Sequence, residues 1–279
     1  MNTADKLLSV LRLFTLQKSE WTVEEASKHM GISISTAYRY FRSLCKAGLL
    51  EPLNGSAYIL GPAFVEYDRQ IRTNDPLIRV GKPIMQKLIA HSGGIGISLL
   101  CRIYRNCVMC IHQEGESLDT PISYERGRLM PMFRGSASKV IFASLPSRSI
   151  KWFVDRYSHE IEDSGLGSDW LTVKNSLRQI RKAGVLVARG EVDPSRVGIS
   201  APVFGHKKDV LGSISLVILK SEATSETIYS VSALVEAAAR QIHAGLVNLS
   251  SANSMDAAGI LFDQTGMSDV EAPISVLAE

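Results

Sequence analysis

The chain has 279 residues, 45% of them hydrophobic, which exceeds the usual single-domain range of about 100–200 residues and is apolar enough to build packed cores. No run approaches the roughly 18 apolar residues of a membrane span. Acidic Asp5 and an amphipathic pattern follow the start, where a secretory signal would be uniformly apolar. Four cysteines are too few for a disulfide scaffold, so a soluble chain in a reducing cytoplasm is expected. Net charge is only +3, but five of the 28 acids (Asp256, Asp263, Asp269, Glu271, Glu279) and none of the 31 bases lie beyond residue 248. Residues 1–248 therefore carry 31 bases against 23 acids, a balance that favours approach to a polyanion.

Leu7, Leu8, Leu11 and Phe14 predict a first amphipathic helix. A second opens at Thr22, whose hydroxyl can cap the free amides while Glu25 reaches back to complete a capping box. Gly31 supplies the left-handed position that ends it, and Ser33 caps the next helix after a turn of helix-turn-helix length. Over Ser33 to Leu50, the residues Ala37, Phe41, Leu44 and Leu49 form the apolar stripe. Ser33, Ser35, Thr36, Tyr38, Arg39, Arg42, Ser43 and Lys46 lie at its start or off it, a face with three cations and no carboxylate. Hydroxyls, helix N-terminal amides and cations bind phosphates, and Arg can also read guanine edges in a major groove.

Gly48 closes this helix, and Leu49–Glu51 can pair with Tyr58–Leu60 across Asn54-Gly55, a type I′ hairpin signal. The hairpin makes a wing whose tip, Asn54 and Ser56, is expected to touch DNA. A basic amphipathic helix alone is usually only a solvated surface. The order of cap, turn, all-positive helix and wing is what points to double-stranded DNA.

Gly61-Pro62 permits a new helix, amphipathic through Phe64, Val65 and Tyr67, that ends near Asp75-Pro76. Leu77, Val80, Ile84 and Leu88 keep helical spacing until Gly93-Gly94. Strand-like runs follow at 95–101, 107–112, 121–123, 199–204 and 210–219, with helical patterns at 136–144, 150–157, 170–182 and 227–247 and a turn at Lys207-Lys208-Asp209. The expected organisation is an N-terminal α winged helix-turn-helix domain over residues 1–61, a helical linker over 62–75, an α+β domain with a mostly antiparallel sheet over 76–248, and an acidic, disordered tail over 249–279.

Several segments resemble the IclR family of bacterial transcriptional regulators: Trp21–Ala26, Met30–Ser33, Ser35–Arg39, Leu44, Ala47–Glu51 and Tyr58–Pro62. Further on, Pro131, Lys139 and Ala143 fall where that family carries its "PLHATALGKALLA" run, and Ile199–Val203 resembles its "IAAPV" strand. The resemblance covers about residues 4 to 248. It implies a GAF-like effector domain, homodimers or homotetramers, and a ligand-pocket mouth formed by Met130, Met132, Gly135, Ser136, Gly198, Ser215 and Val217. Ser136 and its neighbouring amides, at a helix start, suit a carboxylate. Departures from the family pattern alter this expectation. Phe133 stands for the usual His, Gly135 for Thr and Ser138 for Gly, while Ala188 and Gly190 replace positions that are often acidic, leaving Glu191 and Asp193. A less polar or aromatic acid is expected over a small hydroxy acid. In the DNA module Ile34 replaces a common basic residue and Tyr38 a common His, which changes phosphate contact and base preference.

Catalysis is not expected. Cys107-x-x-Cys110 and His112 are soft metal ligands, but on a strand Cys110 and His112 would share a face that Cys107 leaves, and nothing nearby completes a tetrahedral site. The sequence has no G-x-S-x-G elbow, Walker loop, dinucleotide fingerprint or H-E-x-x-H. The expected function is a repressor that binds a palindromic operator and responds to a small organic acid, with no cofactor and no metal. The alternative is a metabolite-sensing or protein-interaction adaptor whose helix-turn-helix no longer binds DNA.

Overall fold

In the computed structural model, which describes residues 2–115 and 125–253, the chain through Asn74 and the chain from Asp75 each close on their own cores. In the first unit, α1 (Thr3–Ser9) is closed by an Asn2–Asp5 capping box and passes into a 3-10 turn over Val10–Leu13. Val10 falls at helical spacing from Leu7 and Phe14 and is fully buried, while Leu8 lies off that face and is 54% exposed, correcting the expected stripe through Leu8.

Strand β1 (Trp21–Thr22) follows, then α2 (Val23–Met30), α3 (Ile34–Lys46), β2 (Leu50–Pro52), β3 (Ala57–Leu60) and α4 (Ala63–Asn74). Helix α3 ends before Leu50 because Gly48 turns left-handed at φ +70°. It buries Tyr40 together with Ala37, Phe41 and Leu44. The wing has three strands in the order β1-β3-β2, one more than expected, since Trp21 and Thr22 pair with Tyr58 and Ala57. Its turn is not type I′, which needs positive φ at both central residues. Only Gly55 is left-handed there, and the Leu53 amide bonds to the Ala57 carbonyl at 2.8 Å around a three-residue tip. Edge-to-face packing of Phe41 on Tyr58, centroids 5.0 Å apart, ties the wing to α3.

The second unit begins with α5 (Pro76–His91), capped by Asp75, which also receives both terminal nitrogens of Arg102 at 2.7 and 3.0 Å. Strands β4 (Ile97–Tyr104), β5 (Cys107–Glu114) and β6 (Leu129–Pro131) are followed by α6 (Ser136–Ser144), α7 (Ser147–Arg156), α8 (Ser158–Asp163) and α9 (Trp170–Ala183). Then come β7 (Leu186–Arg189), β8 (Arg196–Phe204), β9 (Val210–Leu219) and α10 (Ser225–Asn253). The sheet is antiparallel throughout, ordered β6-β5-β4-β9-β8-β7. Its period-2 alternation sorts two cores. Val197, Ile199, Ala201 and Val203 face α5 and α10, whereas Leu99, Cys101 and Val217 face α6 to α9.

This is the expected α+β class, with three elements the pattern did not give: β6, β7 and α8. Both strands are short and lie at the sheet edges, and β6 ends in Pro131, which cannot donate to a ladder. Helix α10 runs five residues into the expected tail, correcting its start. The strand expected at 121–123 and the tail beyond 253 lie outside the described residues. Among the described residues, no helix is long and apolar enough to cross a membrane.

Candidate nucleic-acid interface and ligand pocket

The helix-turn-helix is fixed by local hydrogen bonds. The Thr22 hydroxyl accepts from the Glu25 amide at 3.1 Å, and Glu25 accepts from the Thr22 amide at 3.0 Å. That amide, and next Lys18 Nζ at 3.1 Å, hold the Glu25 carboxyl below its usual range. Gly31 takes φ +62° and the Ser27 hydroxyl donates to the Ile32 carbonyl at 2.7 Å, which closes the turn. Ser33 then caps α3, accepting from the Thr36 amide at 3.3 Å. Its Oγ lies 3.1 Å from Ser35 Oγ and 2.9 Å from Thr36 Oγ1.

These hydroxyls form a polar cluster at the helix N-terminus, where free amides and the dipole attract anions. Ser35, Tyr38, Arg39, Arg42, Ser43 and Lys46 are exposed, and Thr36 is half-buried. Arg39, Arg42 and Lys46 follow one another at helical spacing along the outward face. Asn54 and Ser56 are exposed at the wing tip.

The second unit has a cleft of about 420 Å³, its open mouth included, where the start of α6 meets β8, β9 and the loop after β7. Of the residues expected there, Gly135, Ser136, Gly198, Ser215 and Val217 line it. Met130 and Met132 do not; both are buried in the core beneath α6 to α9. On β6 and the short segment after it, they turn inward to pack, which corrects their placement at the pocket mouth.

Leu99, Ala137, Glu191, Asp193 and Arg196 also line the cleft and were not assigned from the sequence. Arg196 shares the period-2 face of Gly198 and Ser200 on β8, which begins three residues before the strand expected at 199–204. Three seryl hydroxyls link the pocket wall to its floor. Ser200 donates to Ser136 at 2.7 Å and lies 2.7 Å from Ser215. With the Ser200 proton committed to Ser136, Ser215 is the donor to Ser200, and the Ser136 proton is left for another acceptor.

Glu191 clips the loop to α6. Its Oε2 accepts from the Gly135 amide at 3.0 Å and lies 2.8 Å from Lys139 Nζ, which also donates to the Ser164 carbonyl at 2.8 Å. Arg134 Nε donates to the Glu191 carbonyl at 2.8 Å.

The cysteine-histidine run behaves otherwise than a strict alternation predicts. A bulge in the β4–β5 ladder pairs Cys110 with Cys101 but His112 with Leu100, so the two side chains lie on opposite faces. The His112 ring pairs with Glu114 at 2.8 Å, and burial pushes the Cys107 thiol up to about 11. Among the described residues, no group of three or more His, Cys, Asp or Glu is placed to hold a metal ion.

A winged helix-turn-helix followed by an α+β domain with a cleft defines a class: a two-domain transcriptional regulator. Residues 3–53 match the IclR helix-turn-helix domain, and residues 70–244 match the bacterial transcriptional regulator IclR C-terminal domain; the chain belongs to the IclR family. Among curated relatives it is 26% identical over 254 residues to the HTH-type transcriptional regulator KipR of Bacillus subtilis, covering 86% of this chain and 95% of that one. It is 25% identical over 224 residues to XynR of Escherichia coli, covering 79% and 87%. Among solved structures, the Thermotoga maritima IclR superposes with a TM-score of 0.66 at 19% identity, covering 88% and 99%. An IclR homolog from Microbacterium hydrocarbonoxydans, complexed with 4-hydroxybenzoate, gives 0.68 at 18% identity, covering 88% and 99%.

Proposed function

We propose that this chain is a ligand-responsive repressor that inserts α3 into the major groove of a palindromic operator, as a homodimer or homotetramer. In this reading residues 1–61 bind DNA, 62–75 link, and 76–248 sense a small organic acid; the protein works in the cytoplasm and carries no catalytic function. The observation that carries it is the exposed face of α3, where Arg39, Arg42 and Lys46 meet no acidic residue of the same helix and capped hydroxyls crowd the N-terminus. The wing tip supplies Asn54 and Ser56 as flanking contacts.

Paired modules related by a two-fold axis would impose the same symmetry on the operator. The cleft at the start of α6 is the effector site, and its apolar lining by Leu99, Ala137, Val192 and Val217 favours an aromatic or aliphatic body on the acid. That the Microbacterium homolog holds 4-hydroxybenzoate supports this choice. Effector binding shifts the spacing of the DNA modules; a coupling of about 1–3 kcal/mol changes operator occupancy 5- to 150-fold.

The test is fluorescence anisotropy of the full chain with DNA from upstream of its own coding sequence. Sequence-selective binding that weakens steeply with salt is expected. Absence of binding at low salt would refute the regulator reading and favour an adaptor.

A further inference from the structure

Of the charged groups lining the pocket, Arg196 stands apart. It is the first residue of β8, is only 5% exposed, and lies on the same strand face as Gly198 and Ser200. Its Nε and Nη2 are both buried and bond to no protein atom. The two pocket carboxylates are engaged elsewhere. Glu191 is taken by Lys139 and the Gly135 amide, while Asp193 accepts from the Ser195 amide at 2.9 Å and the Ser195 hydroxyl at 2.7 Å. Asp193 Oδ2 stays 4.0 Å from Arg196 Nε, close enough to attract but too far for a hydrogen bond. A buried guanidinium left with unmade hydrogen bonds is costly, and the unmade ones mark where a partner belongs.

We propose that Arg196 is the charge clamp of the effector, receiving its carboxylate side-on. The inference rests on the pocket being the effector site. Nε–H and Nη2–H point the same way along one edge of the planar guanidinium, and their spacing matches the two oxygens of a single carboxylate. A bidentate bond there satisfies both unmet donors at once. The amides at the start of α6, which no side chain caps, and the Ser136 hydroxyl are then auxiliary donors in the same cleft. Neutral analogues of the acid lack the second acceptor oxygen and the charge, so the site discriminates by ionisation before it discriminates by shape. Arg196 is thus a specificity-determining residue, and the effectors it admits carry an ionised carboxylate.

The experiment uses the full chain with benzoate and 4-hydroxybenzoate as probes, set against benzamide and 4-hydroxybenzamide at matched ionic strength. Melting temperature and calorimetric affinity are read for the wild type, Arg196→Met and Arg196→Lys. The acids should raise the melting temperature of the wild type and the amides should not, because a ligand confined to the folded state must stabilise it. Met should abolish the response. Lys, which keeps the charge but loses the fork, should bind the acids about 10- to 100-fold more weakly. If the Met variant does not fold, the Lys variant decides alone. Equal acid affinity in wild type and variant overturns the clamp, as do amides that bind as well as acids, or no acid response in the wild type at about 1,000 times a micromolar Kd. Operator binding measured separately on the same proteins keeps the two readings apart: its loss in the wild type would refute the regulator, whatever the acid titrations give.

Discussion

Gly198 makes room for the hydroxyl of Ser136: a Cβ at position 198 would lie 2.6 Å from Ser136 Oγ, closer than a carbon and an oxygen can pack. The backbone of Gly198 is not left-handed, so this glycine is held by proximity and not by conformation. It stands where β8 passes beneath the start of α6, and Ser136 is the wall residue of the serine chain that runs through Ser200 to Ser215.

The Gly198→Ala variant should therefore push Ser136 out of that chain. Overpacking of this kind costs about 1–3 kcal/mol, read as a lower midpoint in denaturant titration. Effector response should weaken while ligand-free operator affinity stays at the wild-type value. An alanine variant with unaltered stability and unaltered response would show that the hydroxyl moves freely.

Along the exposed face of α3, two cations are expected to fail differently. Arg39→Ala should cost roughly 1–3 kcal/mol and relax base preference if Arg39 reads a base edge. Arg42→Ala should weaken binding to every sequence and flatten the salt slope by about one unit, the mark of a phosphate contact. Anisotropy titrations at several salt concentrations separate them. Unchanged affinity in both variants would remove α3 from the interface.

The capping box gives a pH-dependent signature. The Thr22 amide, and then Lys18, depress the Glu25 pKa below its ordinary 4.5. A depressed carboxylate contributes stability that is fully present above the unfolded value and is lost as pH falls through the folded one. The α2 amides should thus lose hydrogen-exchange protection below about pH 4.5, and Glu25→Gln, which can still cap when neutral, should lack that part of the loss. Thr22→Ala should lower stability by about 1 kcal/mol at any pH. Parallel protection curves for wild type and Glu25→Gln would refute the assignment.

Why some of this was legible and some was not follows from the range of the interactions. Thr22, Glu25, Gly31 and Ser33 announce the helix-turn-helix because each acts within a few residues of itself. Strand β1 is only Trp21 and Thr22, and its partners Tyr58 and Ala57 lie beyond two helices, so no local pattern marks it. The bulge that turns His112 away from Cys110 is likewise a property of the pairing with β4, not of β5 alone. In the pocket, the family resemblance located the start of α6 and the strand residues facing it. Arg196 lies three residues before the strand that the pattern predicts at 199–204, and only the pairing of β8 with β9 extends the strand back to it. Only tertiary packing buries it.

Lys139 offers the last expectation. Its side chain is 8% exposed and its ammonium is held by Glu191 and the Ser164 carbonyl, so it joins α6 to both the loop after β7 and the end of α8. Removing one partner of a buried ion pair costs about 3–5 kcal/mol, chiefly because the other charge is stranded. Glu191, at 32% exposed, retains water and the Gly135 amide, which reduces the expected loss for Lys139→Met to about 2 kcal/mol. Adding Glu191→Gln to that variant should recover part of the loss, since a neutral amide tolerates the missing ammonium. A double-mutant cycle in denaturant measures the coupling. If the two changes were simply additive, Lys139 would be holding the Ser164 carbonyl alone, and the loop after β7 would owe its position to Arg134 and the Gly135 amide.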